Sequence, residues 1–545
     1  MLCGRVRIRV DAPKGAELTF EYFEVTDRAG NYCNTMIAPQ KDVYISNGSP
    51  CQYEAAFTFH GFRYLRVSGA DSVHKEDFTA VALSTEKENL GAFECSDPRL
   101  NRLYQNIRWS QRSNMLSIPT DCPSREKGGF TGDIQIYAKT AMLNEEMTPF
   151  LTGWLKNLKA AQAENGAVPI TVPETAPYRR LMAANAREFG DEPPVGVAGW
   201  SDAAVLVPYT MYRLTGNRRI LEEQYESMTH WCGYIIRTAE GRRGDSGLPH
   251  EVDSVLWNTG FHFGEWLIPS EEKGITQKEA CQRSAFYTAP IFGYLSVKCM
   301  AEIAEVLQKP EQAYYSRTAD QMKAAIQTAL ICDGELRSQN MGAYVLMIAF
   351  DLVPEHCKEH FAQKLISLLD SHQGCLDTGF LATPFLLDAF VKIGRRDLAI
   401  KLLWQTRMPS WLYEVEQGAT SVWESWDAIT PGSEPRITSY NHYAFGCVDA
   451  WIFENIAGIR ALEPGFRRVE IAPDPDGLPL VYCRRSFRCE YGDLLVFWDR
   501  QTLRVSIPCG VRAVIRWQGA SHEVGSGEYT FTEPHRGGDQ NERTG

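Results

Sequence analysis

The pattern of apolar and polar positions divides the chain into three zones. In RVRIRV (5–10) and AELTFEYFEV (16–25) apolar and polar residues alternate, the period of a half-buried strand. Turn-forming stretches, DRAGN (27–31) and SNGSP (46–50), separate these from EAAFTFHGFRYLRVSG (54–69) and FTAVALS (78–84). Short strands at this spacing predict a β-sandwich. Strand-like sequence begins almost at Met1, so this sandwich is expected to be incomplete and to lack its first strands. An open strand edge invites pairing, so a homodimer that covers it is expected.

From about Asp97 the period becomes helical. DPRLNRLYQNIRWSQRSNM (97–115) carries apolar residues three and four apart, and similar segments recur near 131–143, 147–163, 201–215, 219–238, 279–307, 310–330, 342–350, 356–370, 382–393, 395–405 and 440–457. Twelve helices in tandem hairpins fit an (α/α)6 barrel. After Gly458 the alternation returns, in RRVEIAP (467–473), LPLVYCRRSFRCEYGDLLVFWD (478–499), TLRVSIP (502–508), VRAVIRWQG (511–519) and EYTFTEP (528–534). The expectation is a multidomain chain: an (α/α)6 barrel over 96–458, flanked by antiparallel β-sandwiches over 1–95 and 459–534. The polar, Gly-rich end HRGGDQNERTG (535–545) reads as a disordered tail.

Composition narrows the function. Of 545 residues, 44% are hydrophobic and 23% charged, ordinary values for a globular protein. Lys plus Arg number 56 against 68 Asp plus Glu, a net charge of −12, which argues against a binder of the phosphate backbone. No apolar run approaches the roughly 18–20 residues of a membrane span. The N-terminus MLCGRVRIRVDAPKG carries no apolar core of a secretory signal. The fifteen cysteines include no C-x-x-C pair, so reduced thiols in a cytoplasmic protein are expected, with no metal site and no cofactor. The chain has no G-x-S-x-G, P-loop, G-x-G-x-x-G or H-E-x-x-H motif, which removes the simple cases of serine hydrolases, nucleotide enzymes and zinc proteases.

Two segments carry candidate chemistry. SIPTDCPSREKGGFTGDIQIYAKTA (117–141) sets Asp121, Arg125, Glu126 and Asp133 in a Gly-rich loop that leads into a helix. Carboxyl groups crowded together acquire raised pKa values, which suits a general acid. EQGATSVWESWDAITPGSEPRITSYNHYAFGCVDAW (416–451) places Glu424 between Trp423 and Trp426, beside Asp427, with His442 further on. Indole faces suit the C–H surface of a sugar while a carboxylate moves protons. Weaker clusters are Trp200 and Asp202 in GWSDAAVLVPY, Trp257, His262, Glu265 and Trp266 in LWNTGFHFGEWL, and Asp377 in LDTGFLATPFLL. Separated carboxylates among many aromatics leave glycoside hydrolysis as the main chemical option. Each cluster also has a plain reading, as a helix cap, a surface loop or core packing.

At this point the motifs become recognisable. The run DCPSREKGGFTGD (121–133) closely resembles the motif of glycoside hydrolase family 78, the bacterial α-L-rhamnosidases. HGFRYLRVSG, GWSDAAVLVPY, LDTGFLATPFLL, GATSVWESWD, SYNHYAFG and GFRRVEIAPDP follow in the family's order, so the resemblance covers nearly the whole chain. It implies an (α/α)6 barrel between β-sandwiches and cleavage of terminal α-L-rhamnose from a small glycoside or oligosaccharide, with inversion. By the same resemblance Glu126 matches the general acid and Glu424 the general base. Asp121, Arg125 and Asp133 match residues that bind the rhamnose hydroxyls. Phe130, Trp200, Trp266, Trp423 and His442 fall to the substrate-binding wall. The sequence departs from the family at Phe130, where Trp is usual, at Ser425 in place of Arg, and at Ala382 in place of Gly. The alternatives are a six-hairpin glycosidase for another sugar and a catalytically degenerate carbohydrate-binding relative.

Overall fold

A computed structural model describes residues 1–35, 40–69, 74–175, 195–241, 247–271 and 275–532. The segment expected as a disordered tail, 535–545, lies outside the described residues.

The N-terminal domain is two sheets face to face. In one, β1 (Leu2–Val10) pairs on one side with β4 (Cys51–Glu54) and β5 (His60–Phe62), and on the other with β7 (Phe78–Ala82). In the second, β2 (Glu17–Phe23) lies between β3 (Gln40–Ile45) and β6 (Tyr64–Ser68). The alternation in the sequence explains the packing. Val6, Ile8 and Val10 of β1 meet Leu18, Phe20 and Tyr22 of β2 in one buried cluster. The intervening Arg5 and Arg7 point away and both donate to Glu54 at 2.6 Å. The run 54–69, expected as one strand, is broken: Phe57 sits at φ 58° with its ring in solvent, and the chain re-enters pairing only at His60.

The barrel is built from helices α1 (Pro98–Asn114), α2 (Thr131–Asn144), α3 (Thr148–Ala161), α4 (Ala203–Thr215), α5 (Arg218–Glu240), α6 (Gln277–Val306), α7 (Gln312–Leu330), α8 (Met341–Ala349), α9 (Lys358–Ser371), α10 (Thr383–Lys392) and α11 (Arg396–Leu403). The closing helix α12 is composite, a 3₁₀ turn at Ala444–Cys447, an α turn at Val448–Trp451 and a π turn at Ile452–Ile456. Burial separates two rings. In α3 only Leu151, Trp154, Leu155 and Leu158 are buried, a single stripe at i, i+3, i+4 and i+7, which marks an outer helix. α9 likewise buries only Phe361, Leu365 and Leu369. In α2 and α8 nearly every residue is buried, which marks inner helices walled by others. Connections from an inner to the next outer helix are short, such as 145–147 and 216–217, whereas those from outer to inner are long, such as 115–130, 372–382 and 404–443. The long loops therefore gather at one end of the barrel, and the site lies there.

The C-terminal domain also stacks two sheets, one of them joined by a strand from before the barrel. β8 (Gly91–Cys95), placed by the sequence in the first domain, pairs with Tyr482–Cys489 and so completes the last sheet. The sheets are antiparallel as expected except at one pairing among the described residues, where Arg468–Ile471 and Arg512–Trp517 run parallel. At the boundary, Gly458 adopts φ 78°, and a Cβ there would meet the Pro473 nitrogen at 2.2 Å, so only glycine fits. The barrel is pinned to this domain by Arg485, fully buried, whose Nη1 lies 3.0 Å from Asp449 on α12. No helix among the described residues is long and apolar enough to cross a membrane. All fifteen cysteines are free, and eleven of them are buried.

Candidate active site

The loop that leads into α2 is folded by its own motif. The Asp121 amide donates to the Gly128 carbonyl at 2.9 Å, and the Gly128 amide donates back to the Asp121 carboxylate at 2.8 Å. This closure presents Arg125 and Glu126 inward. Asp133 follows in the first turn of α2. Beside it, a Cβ on Gly132 would fall 2.6 Å from the Trp200 ring, so glycine lets that indole lie against the helix.

The loop ahead of α12 brings the second carboxylate. Segments 422–424 and 439–442 lie side by side: the His442 amide donates to the Val422 carbonyl at 2.8 Å, and the Glu424 amide to the Ser439 carbonyl at 3.0 Å. Within this clamp the Glu424 carboxylate accepts from the Ser439 amide and the Thr438 hydroxyl, each at 3.0 Å.

These loops enclose a cavity of about 160 Å³ at the end of the barrel. Its polar wall is Asp121, Arg125, Glu126, Asp133, Glu424 and His442; its aromatic wall is Phe130, Trp200, Phe263, Trp266 and Phe380. Arg125 stands between the two glutamates, donating from Nε to Glu126 at 2.6 Å and from Nη2 to Glu424 at 2.9 Å. The second Glu126 oxygen accepts from the Cys122 thiol at 3.0 Å. His442 Nε2 lies 3.1 Å from Asp133.

The electrostatics distinguish these groups. Burial would raise the pKa of Glu424, but Arg125, His442, the Ser439 amide and the Thr438 hydroxyl outweigh it and hold the carboxyl below its ordinary value. Asp121 moves the other way: burial, then the charges of Glu126 and Asp133, push it well above the usual range. Asp133 is also raised by burial, against the pull of His442. Burial pulls His442 down, but the hydrogen bond and charge of Asp133 turn the net shift upward. The crowding seen in the sequence therefore puts its raised carboxyl at Asp121. Asp121, Cys122 and Glu126 also place one donor atom each within 4.8 Å of one another, a set that could in principle hold a cation. Its chemistry is a poor fit: burial keeps the thiol well above its ordinary pKa, and Arg125 already occupies Glu126.

Nine of the ten residues singled out from the sequence line this cavity. Trp423 does not. While Glu424 enters the cavity, Trp423 beside it turns away and packs with Val25, Tyr413, Ala419 and Tyr440. Trp426 packs into the core against Trp411 and Phe445. Phe263 and Phe380, not singled out, complete the wall and sit within the aromatic clusters LWNTGFHFGEWL and LDTGFLATPFLL. Three polar members of the weaker clusters, Asp202, His262 and Glu265, are held in structural contacts. Asp202 accepts from Gly199, Trp231 and Ser296. His262 spends both ring nitrogens on the backbone of Ala198 and Thr259. Glu265 receives the amides of Gly379 and Ala382 at 2.9 and 2.6 Å, which fixes the Phe380 loop beside Trp266.

Comparison with known proteins covers each part of the chain. The family model described as bacterial alpha-L-rhamnosidase 6 hairpin glycosidase domain matches residues 88–456. The concanavalin-like domain of the same enzymes matches 1–84, and their C-terminal domain matches 458–530. An alpha-L-rhamnosidase of Streptomyces avermitilis is 33% identical over 97% of this chain and 51% of its own length. One from Formosa agariphila is 32% identical over 93% of this chain and 53% of its own. Among solved structures, the Streptomyces avermitilis alpha-L-rhamnosidase complexed with L-rhamnose superposes with a TM-score of 0.87 at 32% identity, covering 98% of this chain and 51% of that one. The chain spans about half the length of the curated relatives it matches.

Proposed function

The chain belongs to the bacterial α-L-rhamnosidase family, and from that membership and the geometry of its cavity we propose that it hydrolyses terminal α-L-rhamnosides with inversion at the anomeric carbon. The observation that carries this reading is the pair of glutamates facing one cavity on either side of Arg125, with Glu424 held ionised.

In the proposed reaction Glu126 gives its proton to the glycosidic oxygen as the C–O bond breaks. Glu424 takes a proton from a water that attacks the anomeric carbon from the opposite face, as an inverting displacement requires. Each turnover leaves Glu126 ionised and Glu424 protonated, and exchange with solvent restores both. Asp121, Arg125, Asp133 and His442 hold the sugar hydroxyls. The five aromatic rings suit the C–H face and the methyl group that set a 6-deoxyhexose apart from other hexoses. Phe130 offers less stacking area than the Trp usual in the family.

We propose small glycosides and oligosaccharides as substrates, no catalytic metal, and a cytoplasmic location, the last in keeping with fifteen unpaired cysteines. We also keep the homodimer, now with a specific edge: β3 pairs with β2 alone among the described residues and exposes Val43 and Ile45. Light scattering at micromolar concentration tests it, and a monomer there ends that part. The function is tested with a panel of aryl glycosides, proton NMR of the first-formed sugar and a chelator control. Release of β-L-rhamnose from the α-rhamnoside supports the reading. Turnover confined to another sugar, or none on the whole panel, overturns it.

A further inference from the structure

Glu24 is a buried carboxylate, 2% exposed, immediately after β2 in the N-terminal sandwich. It does not line the cavity. One of its oxygens accepts from the Ser124 hydroxyl at 3.0 Å, and the other from the Tyr440 amide at 3.1 Å. Ser124 directly precedes Arg125 and Glu126. Tyr440 directly follows Ser439, whose amide holds Glu424, and lies two residues before His442. A single side chain from a different domain therefore touches both loops that carry the glutamates, one hydrogen bond from each.

The surrounding contacts point the same way. Lys127 donates to the Phe59 carbonyl at 2.6 Å, the Met1 ammonium to Thr420 at 2.8 Å, and Arg63 to the Gly418 carbonyl at 3.2 Å. A Cβ on Gly61 of β5 would fall 2.7 Å from Pro123 and 2.8 Å from Ser124, so the sandwich meets the acid loop with no slack. Among the described residues of this contact, Glu24 is the carboxylate bonded to both loops. Burial also lifts its pKa to about 7, with Arg125 and Glu424 both within its electrostatic reach.

We propose that Glu24 is a positioning residue that ties the acid loop to the base loop and so fixes the placement of Glu126 relative to Glu424. The role rests on the assignment of those two glutamates. It is exerted through Ser124 and Tyr440, and the N-terminal sandwich thereby becomes part of the reaction geometry. A carboxyl is suited to the task because its two oxygens accept from two directions at once. An amide can keep both bonds, since the Ser124 hydroxyl can turn and accept where it had donated.

The test compares Glu24→Gln, Glu24→Ala and Ser124→Ala in the full chain, with two readouts. The first is hydrogen exchange at 121–128 and 438–442, which needs no substrate. Exchange should quicken in both segments in Glu24→Ala and remain near wild type in Glu24→Gln. The second is turnover of an aryl α-L-rhamnoside: kcat should fall by about 10- to 100-fold in Glu24→Ala, the cost of about an ångström of misplacement. KM should change far less, and Glu24→Gln should recover most of the rate. Ser124→Ala, which removes the acid-loop bond alone, should quicken exchange at 121–128 and serves if Glu24→Ala does not fold. Unchanged exchange in the tested variant, or a loss confined to melting temperature with kcat intact, overturns the proposal. If the wild-type protein hydrolyses no rhamnoside, the proposed function fails, and the exchange readout still decides whether Glu24 ties the loops.

Discussion

Arg125 donates to Glu424 across 2.9 Å within a cavity that shields both side chains, and the same guanidinium holds Glu126 at 2.6 Å. One cation thus faces two carboxylates with different surroundings. Glu424 has further donors in Thr438 and Ser439, whereas Glu126 meets Arg125, the Cys122 thiol and the Asp121 carboxyl. Glu424, held by a backbone amide and a hydroxyl besides the guanidinium, is the one asked to stay ionised.

That relationship sets a pH dependence. A depressed carboxyl pKa means Glu424 stays ionised as pH falls, until the lowered value is reached. The acidic limb of kcat/KM should therefore lie below the ordinary glutamate value of about 4.3. Replacing the cation in Arg125→Gln removes the main stabiliser of that charge, so the pKa rises and the acidic limb moves to higher pH. A pH series on an activated aryl rhamnoside measures it. A limb that stays in place, or moves down, contradicts the base role of Glu424.

The two glutamates should also fail in different ways. Glu126→Gln should lose about 10²–10⁴-fold on an unactivated rhamnoside and much less on an aryl rhamnoside with a good leaving group. Glu424→Ala should be slow on both, and azide should restore turnover from the face the water used. The product then would be the β-configured rhamnosyl azide. Isolation of the α-azide, or wild-type turnover in either variant without azide, contradicts the assignment.

Thiol chemistry provides an independent check on the loop. Cys332 and Cys509 are exposed, Cys33 and Cys51 half-buried, and Cys122 buried beside two carboxylates. Burial, Asp121 and Glu126 all raise the Cys122 pKa, so the thiol keeps its proton and its bond to Glu126. In the native protein a disulfide reagent at neutral pH should titrate Cys332 and Cys509 first and leave Cys122 unmodified. Mass spectrometry of the labelled peptides reads this directly, and early labelling of Cys122 would mean the loop opens readily.

How far the sequence carries depends on what each feature rests on. The barrel helices were legible because a packed ring gives each outer helix a single apolar stripe, as in Leu151, Trp154, Leu155 and Leu158. The strand Gln40–Ile45 was not, because it lies at a half-exposed edge where QKDVYI offers little contrast between faces. Most of the site was legible because its polar members crowd into two short motifs. The aromatic wall was only partly so. Trp423, Phe263 and Phe380 all lie in aromatic-rich stretches, and composition does not say which ring faces the cavity and which the neighbouring domain. Glu24 left no local signal at all: its partners are 100 and 416 residues away, and only the packing of two domains brings them together.

The same argument applies to Asp449 and Arg485, whose contact spans the barrel and the C-terminal domain. Both side chains are fully buried, with Nη1 and Oδ1 at 3.0 Å and Nη2 at 3.2 Å from the second oxygen. Asn144 on α2 completes the network by donating to Asp449 at 2.9 Å. Rings from Phe93, Tyr104 and Phe453 close over the guanidinium within 5.9, 5.0 and 5.1 Å. Removing one partner of such a pair strands a charge in an apolar site, a loss of about 3–5 kcal/mol. Asp449→Ala should lower stability by that amount, whereas Asp449→Asn, which keeps a hydrogen-bond acceptor for Arg485, should lose less. Because the pair meets Asn144 at the end of α2 opposite Asp133, the kcat of the folded fraction should stay near wild type in both. Denaturant unfolding alongside rate measurements separates the two effects. A stability change below about 1 kcal/mol in Asp449→Ala would mean that water reaches the guanidinium, and that Arg485 does not hold the last sheet against the barrel as the buried pair requires.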